Sequence, residues 1–320
     1  MSAIQKTPSI AVIIPCFNEA LAIGQVLDDF KAVLPEATLY VFDNNSTDDT
    51  SRVAQTHGAI VVHVPLRGKG NVVRRMFADV EADIYVMADG DATYHAPSAR
   101  KMIDLLIDKH LDMIVAARVE TEEPRQGITY RPGHRLGNKF LTSGVQIIFG
   151  GSFRDMLSGY RVFSRRYVKS FPAHSHGFEI ETELNVHALE LRMPCTEIDT
   201  PYGARLEGSI SKLSTYRDGW HILKTIGRLV LSEKPLQFFG WLAAVLMLTS
   251  VALAAPIIYE FEQTGLVRRF PTLVLVTAMM VCGVLSGACG LILHGIRKMR
   301  RELKRFAYLR IEAAGNHSRS

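Results

Sequence analysis

From Ile10 to Ala117 the chain alternates short apolar runs with segments whose apolar residues recur at helical spacing. Ile10–Pro15, Thr38–Phe42, Ala59–Val64, Ile84–Ala88 and Met113–Ala117 read as strands. Between them, Ile23, Val26, Leu27, Phe30, Val33 and Leu34 mark one helix, and Val72, Val73, Met76, Phe77 and Val80 mark another. Ser98–Lys109 is a further helix, and one more is predicted from a cap near Ser46, with Asp49 three residues on, to a terminal Gly58. Strands alternating with helices predict an α/β fold with a mainly parallel, twisted sheet covered on both faces.

Such sheets bind ligands beyond the carboxyl ends of their strands. Asn18 with Glu19, Asp43 with Asn44 and Asn45, Arg67 with Lys69, and Asp89 with Asp91 each follow a predicted strand. Their polar side chains are therefore expected along one edge of the sheet.

The last third has a different pattern. Leu236–Ile258 and Pro271–His294 are apolar stretches long enough to cross a bilayer core of ~30 Å. Gly283 and Gly287 have the spacing of small residues that let membrane helices approach closely. Lys224, Arg228 and Lys234 precede the first stretch, and Arg297, Lys298, Arg300, Arg301, Lys304 and Arg305 follow the second. The intervening loop sets Arg268 and Arg269 against Glu260 and Glu262. The positive-inside rule then puts both flanks in the cytoplasm and the short loop outside. Ser214–Leu231 is basic and amphipathic and is expected to lie on the membrane surface. The boundaries expected are residues 1–212 for the catalytic domain, 213–234 for the juxtamembrane helix, 235–296 for the hairpin and 297–320 for a basic tail.

Charge and cysteine content narrow the function classes. The net charge of +5 comes largely from residues beside the apolar stretches rather than among exposed aromatics, which argues against nucleic-acid binding. The four cysteines have neither disulfide-framework nor zinc-ligand spacing, so a reducing compartment is expected. The apolar stretch Ile10–Ile14 is too short for a signal peptide, so the catalytic part is expected to stay in the cytoplasm.

Asp89-Gly90-Asp91 is the sharpest chemical signal. Carboxylates two residues apart in extended backbone point to the same side. Such a pair can hold Mg2+ or Mn2+, which stabilises a nucleoside diphosphate as a leaving group. Asp-Gly is also ordinary turn chemistry, so the pair gains weight from the neighbouring clusters.

Pro15-Cys16-Phe17-Asn18-Glu19, Asp43-Asn44-Asn45-Ser46-Thr47-Asp48, Gly68-Lys69-Gly70-Asn71 and Asp89-Gly90-Asp91 resemble the motifs of family 2 glycosyltransferases with the GT-A, Rossmann-like fold. Asp155-Met156-Leu157-Ser158-Gly159-Tyr160-Arg161 and Arg205-Leu206-Glu207-Gly208-Ser209-Ile210-Ser211-Lys212 are similar to the dolichyl-phosphate mannose synthase branch, which includes bacterial polyprenyl-phosphate glycosyltransferases. The likeness runs from about Ser9 to Lys234, and the two-helix tail also resembles the bacterial members, some of which are tetramers.

The resemblance implies that Pro15, Phe17, Glu19, Asp43 and Lys69 contact the nucleotide, with Asp43 at the base or ribose unless it serves only its turn. Asp89 and Asp91 would hold the metal, and Arg205 and Lys212 would close on the diphosphate from a mobile loop. Thr93 stands where the branch has a metal-supporting Gln, leaving the third ligand open between Thr93 and water. Arg118, Arg131, His134, Arg135 and Ser158 are the candidates for an acceptor phosphate, with Arg118 and Arg135 foremost. Asp155 would orient the acceptor or act as a base, or else brace the turn after it. Of Glu179, Glu181 and Glu183, which cannot all share a helix face, Glu183 best matches the family glutamate.

The implied activity is inverting transfer of a sugar from a nucleotide sugar, UDP-linked rather than GDP-linked, to polyprenyl phosphate at the cytoplasmic membrane. Two rivals differ in class. A processive polysaccharide synthase needs Gln-x-x-Arg-Trp, whereas Gln237-Phe238-Phe239-Gly240-Trp241 lacks the Arg. A non-catalytic scaffold would have no reason to keep Asp89, Asp91, Arg205 and Lys212 together.

Overall fold

All five apolar runs expected as strands form strands: β1 (Ile10–Cys16), β2 (Thr38–Asp43), β3 (Ile60–His63), β4 (Ile84–Met87) and β5 (Met113–Glu120). A computed structural model gives the architecture and describes residues 7–120, 153–175, 177, 179–203 and 234–312. Two further strands, β6 (Arg161–Ser164) and β7 (Cys195–Tyr202), complete a seven-stranded sheet in the order β3-β2-β1-β4-β6-β5-β7. Only β6 runs against the rest, pairing antiparallel with β4 and β5.

That reversal places the start of β6 beside the end of β4, with Met87 opposite Arg161. The segment entering β6 therefore joins the edge where the parallel strands end.

Helices α1 (Ile23–Val33), α2 (Thr50–Thr56), α3 (Lys69–Asp79) and α4 (Ser98–Asp108) alternate with the strands. Their buried faces follow the apolar spacing: Ile23, Val26, Leu27 and Phe30 in α1, and Ala99, Met102, Ile103 and Leu106 in α4. α2 starts three residues later than its cap sequence predicts, with Asp49 rather than Ser46 at the N-cap position. Ser46 is drawn elsewhere: its N–H donates to Asp43 Oδ1 and its hydroxyl accepts from Asn18 N. Gly58 ends the segment at φ +82°, a conformation that favours glycine.

After β6 come α5 (Arg165–Ser170), capped by the Ser164 hydroxyl on Tyr167 N, and α6 (Ile180–Leu191). α7 (Pro235–Thr264) and α8 (Phe270–Leu309) are the two apolar helices, each long and apolar enough to cross a membrane. α7 runs on through Pro256 and ends at Gly265, φ +68°. Residues 204–233, which include the expected juxtamembrane helix, lie outside the described residues.

The chain divides into two compact units, Met1–Ile222 with Leu303–Ser320, and Leu223–Glu302. In the first, the last turns of α8 are tied down. Lys304 Nζ donates to Glu190 Oε2 at 2.7 Å, and Tyr308 Oη to Asp112 Oδ2 at 2.8 Å.

In the second unit α7 and α8 meet along residues seven apart. Ala243, Ser250 and Ile257 are buried positions of one helix, which also buries Pro235 at its start, and Val276, Gly283 and Gly290 are those of the other within this unit. A heptad interval keeps a seam on one face of each helix. A Cβ on Gly283 would lie 2.9 Å from Met247 Cγ, and one on Gly290 2.9 Å from Phe239 Cβ. At Gly287 the nearest such contact is 3.8 Å, ordinary van der Waals distance. The close-packing pair is thus Gly283 with Gly290 rather than Gly283 with Gly287. Replacing Gly290 by Leu is expected to cost about 1–3 kcal/mol through overpacking, and Gly287→Leu distinctly less. Thermal melts of the detergent-purified variants check the order.

Candidate active site

The expected strand-end clusters do converge. The β1–α1 and β2–α2 loops lock together through short polar contacts. Asn18, held at φ +53°, accepts from Thr47 N at 2.7 Å, while Glu19 N donates to Thr50 Oγ1 and Ala20 N to Asp48 Oδ2. Asn44 shapes the next loop, donating to the Val64 and Leu66 carbonyls and accepting from Gly68 N. These contacts set the walls of a cleft with Pro15 and Phe17 half-buried on one side, and the Arg67 guanidinium 5.7 Å from the Phe17 ring centre.

Asp43, 2% exposed, sits at the floor of this part. It accepts from Ser46 N and Ser51 Oγ, with His63 Nδ1 3.3 Å away. Asp43 thus fills the turn role, its two oxygens bonded to the backbone and side chain that follow it.

Lys69 opens α3 and reaches across to the Asp-Gly-Asp segment. Its Nζ lies 2.6 Å from Asp89 Oδ1 and 2.7 Å from Glu181 Oε1, with only 9% of the side chain exposed. Burial works against the ammonium charge, but the two carboxylates outweigh it and raise its pKa above the ordinary lysine value.

Asp91 is buried and accepts from the Thr93 hydroxyl at 2.6 Å. Thr93 thus orients Asp91 in this arrangement. Gly159 leaves room for the Asp89 carboxylate, because a Cβ there would lie 2.5 Å from its Oδ2. Two hard carboxylates, one of which already holds a cation, suit Mg2+ or Mn2+ with oxygens of a ligand completing the shell. Among the described residues no cluster of three or more His, Cys, Asp or Glu offers a fuller protein cage.

On the other side of the cleft, Arg118 near the end of β5 forms a two-pronged pair with Asp155: Nε to Oδ2 at 2.6 Å and Nη2 to Oδ1 at 2.8 Å. The guanidinium lies 5.5 Å from the Tyr202 ring centre. Burial works against the Asp155 charge, but Arg118 outweighs it and holds the carboxyl below its ordinary pKa. A carboxylate so stabilised is a weak base at neutral pH.

Ser158 is fully buried, and its hydroxyl accepts from Tyr160 N within the turn. That placement gives it a structural duty. Arg131, His134, Arg135, Arg205 and Lys212 lie outside the described residues.

Sequence reasoning left Glu181 as one of three glutamates and missed Tyr94 and the part played by Arg161. Glu181, rather than Glu183, meets Lys69, while the Glu183 carboxylate accepts from His174 N and Ser175 N. Tyr94 accepts from Gly159 N at 2.9 Å and so steadies the glycine beside Asp89. Arg161, fully buried, donates to the carbonyls of Ser158, Met156 and Glu181 and to Asn185 Oδ1. An arginine that opens an apolar strand, as Arg161-Val162-Phe163 does, was the available signal for the last.

A mainly parallel sheet whose strand ends gather two carboxylates, a buried lysine and an arginine has the α/β architecture of the GT-A fold. The family model described as Glycosyl transferase family 2 matches residues 11–171, and the chain belongs to that family of glycosyltransferases. The glycosyltransferase AglJ of Haloferax volcanii is 33% identical over 305 residues, which cover 95% of this chain and 97% of AglJ. Protein RfbJ of Shigella flexneri is 60% identical over 127 residues, covering 40% of this chain and 96% of RfbJ. Among solved structures, glucosyl-3-phosphoglycerate synthase from Mycobacterium tuberculosis, in complex with Mn2+, UDP-glucose and phosphoglyceric acid, superposes with a TM-score of 0.55 at 23% identity. The match covers 69% of this chain and 80% of that one and shows a shared fold.

Two outcomes follow for the site. Gly159→Ala pushes a methyl into the Asp89 carboxylate, so sugar transfer is expected to fall roughly 10-fold or more with the melting temperature little changed. Asp155→Asn strips Arg118 of its counter-charge and is expected to cost about 2 kcal/mol at neutral pH. Because the folded-state pKa of Asp155 is depressed, that stability is present above the unfolded carboxyl pKa of ~3.9 and is lost as pH falls through the folded value. The gap between wild-type and variant melting temperatures should therefore close as the pH drops below that range.

Proposed function

We propose that the chain transfers a sugar from a nucleotide sugar, UDP-linked rather than GDP-linked, to the phosphate of a polyprenyl phosphate. The observation that carries the lipid acceptor is the pair of helices α7 and α8, which a transferase with a water-soluble acceptor would not need. Their apolar side chains are largely exposed, as with Trp241 at 75% and Leu248 at 70%, so they are not core helices of an ordinary soluble fold. The basic run Arg297–Arg305 supports a cytoplasmic position for the catalytic domain.

In this reading Phe17, Arg67 and Asp43 receive the nucleoside, and Lys69 receives the diphosphate. Asp89 and Asp91 would hold Mg2+ or Mn2+, which would supply positive charge to the departing nucleoside diphosphate. The Mn2+ and UDP-glucose bound by the mycobacterial synthase support that choice. Arg205 and Lys212 would add positive charge from the segment after β7.

Arg118 receives the acceptor phosphate. A guanidinium has five N–H donors, enough to hold a carboxylate and a phosphate together. A phosphate monoester is largely dianionic at neutral pH, so its oxygen attacks the anomeric carbon without a base. Asp155 then serves by aligning Arg118, in keeping with its depressed pKa. Direct displacement by that oxygen inverts the anomeric centre.

Transfer of radiolabelled sugar from UDP- and GDP-sugars tests the reading, using detergent-purified protein, Mn2+, and either undecaprenyl phosphate or 3-phosphoglycerate. Labelled lipid is expected, reduced by roughly 10²-fold or more in Asp91→Ala. Label appearing only on 3-phosphoglycerate would overturn the lipid acceptor and keep the donor.

A further inference from the structure

Lys69 has two carboxylate partners whose surroundings differ. Asp89 is the open one, with 28% of its side chain exposed, whereas Glu181 is enclosed at 8%. Asp89 also belongs to the pair that would turn toward a divalent ion.

Glu181 is fixed from several directions. Its carbonyl accepts from Asn185 Nδ2 at 2.9 Å and from Arg161 Nη2 at 3.3 Å. The loop ahead of α6 is tied to the same helix, since Glu183 accepts from His174 N and Ser175 N. Arg74 of α3 donates to the Ala173 carbonyl through both Nε and Nη2. The start of α6 is thereby seated against α3, and Glu181 faces Lys69 from a rigid frame.

A buried ammonium stripped of its counter-charge is strongly unfavourable. Were Asp89 the sole partner, every approach of a divalent ion to Asp89 would have to overcome that cost. With Glu181 in place, Asp89 can turn away while Lys69 keeps one buried carboxylate.

We propose that Glu181 is a positioning residue that retains Lys69 when Asp89 turns to the divalent ion, so that ion and ammonium share the site instead of competing for Asp89. This rests on the donor and metal reading above. A role confined to joining α3 and α6 would alter melting temperature but would not make Mn2+ affinity depend on Lys69.

The discriminating measurement is Mn2+ binding followed by electron paramagnetic resonance, in the full-length protein in detergent, with all variants compared without nucleotide so that loss of a Lys69–diphosphate contact does not enter, and the wild type also measured with UDP. Glu181→Gln is expected to weaken Mn2+ binding about 10-fold, since Lys69 then clings to Asp89. Adding Lys69→Met to that variant is expected to return Mn2+ affinity to near the wild-type value, a coupling that a double-mutant cycle isolates. Glu181→Asp keeps the charge on a shorter arm and should weaken binding about threefold, which carries the comparison should Gln prove unstable in thermal melts. Unchanged Mn2+ affinity in Glu181→Gln or Glu181→Asp, or a double variant as weak as the single one, overturns the inference and leaves the donor reading standing. Failure of the wild type to take up Mn2+ with UDP would remove the metal reading and this inference together.

Discussion

The site depends on a buried charge. Arg161 opens β6 with no exposed surface, and a guanidinium there must find hydrogen-bond acceptors or carry a heavy desolvation cost. It finds them in the carbonyls of Met156, Ser158 and Glu181 and in the Asn185 amide. One side chain thus fixes both the turn that precedes β6 and the first turn of α6. The turn puts Gly159 against Asp89, and the helix puts Glu181 against Lys69. Because β6 is antiparallel, its beginning lies at the edge where the parallel strands end. The surroundings of the Asp89–Lys69–Glu181 cluster are in that sense arranged from one residue.

Charge is balanced within the cleft in two ways. On the donor side Lys69 sits between two carboxylates, so Asp89 is neutralised while it stays accessible. Across the cleft Asp155 holds Arg118 in a two-pronged fork, and Arg118 in turn holds the Asp155 carboxyl below its ordinary pKa. Under the proposed function, with two phosphate-bearing partners, alignment and charge matter more than proton transfer.

The two apolar helices follow a different rule from the sheet domain. In the sheet, large side chains such as Phe30, Tyr85, Tyr160 and Phe163 fill the interior. Between α7 and α8 the small residues Ala243, Ser250, Gly283 and Gly290 share the contact with Ile257 and Val276, while bulky side chains such as Trp241 and Leu248 face outward. Lipid tails are as apolar as leucine, so close backbone approach and contacts such as Ser250 Oγ to the Val276 carbonyl hold such helices together.

The sequence by itself determined the elements and the edge. Five strands, the helices between them, the two apolar helices and the placing of Asp43, Lys69, Asp89 and Asp91 at strand ends all follow from local periodicity, which neighbouring residues along the chain set. It did not determine which polar groups pair. The choice of Glu181 over Glu183 turns on helix phase, because one carboxylate faces α3 and the other the preceding loop. The later start of α2 reflects competition: Ser46 bonds to Asn18 and Asp43, contacts from another loop and an earlier strand, instead of capping. Seven-residue rather than four-residue spacing decides the helix seam because the partner helix, not the glycines alone, selects the face. The antiparallel β6 and the buried Arg161 came only with tertiary structure, since strand direction and long-range hydrogen bonds depend on residues far apart in the chain.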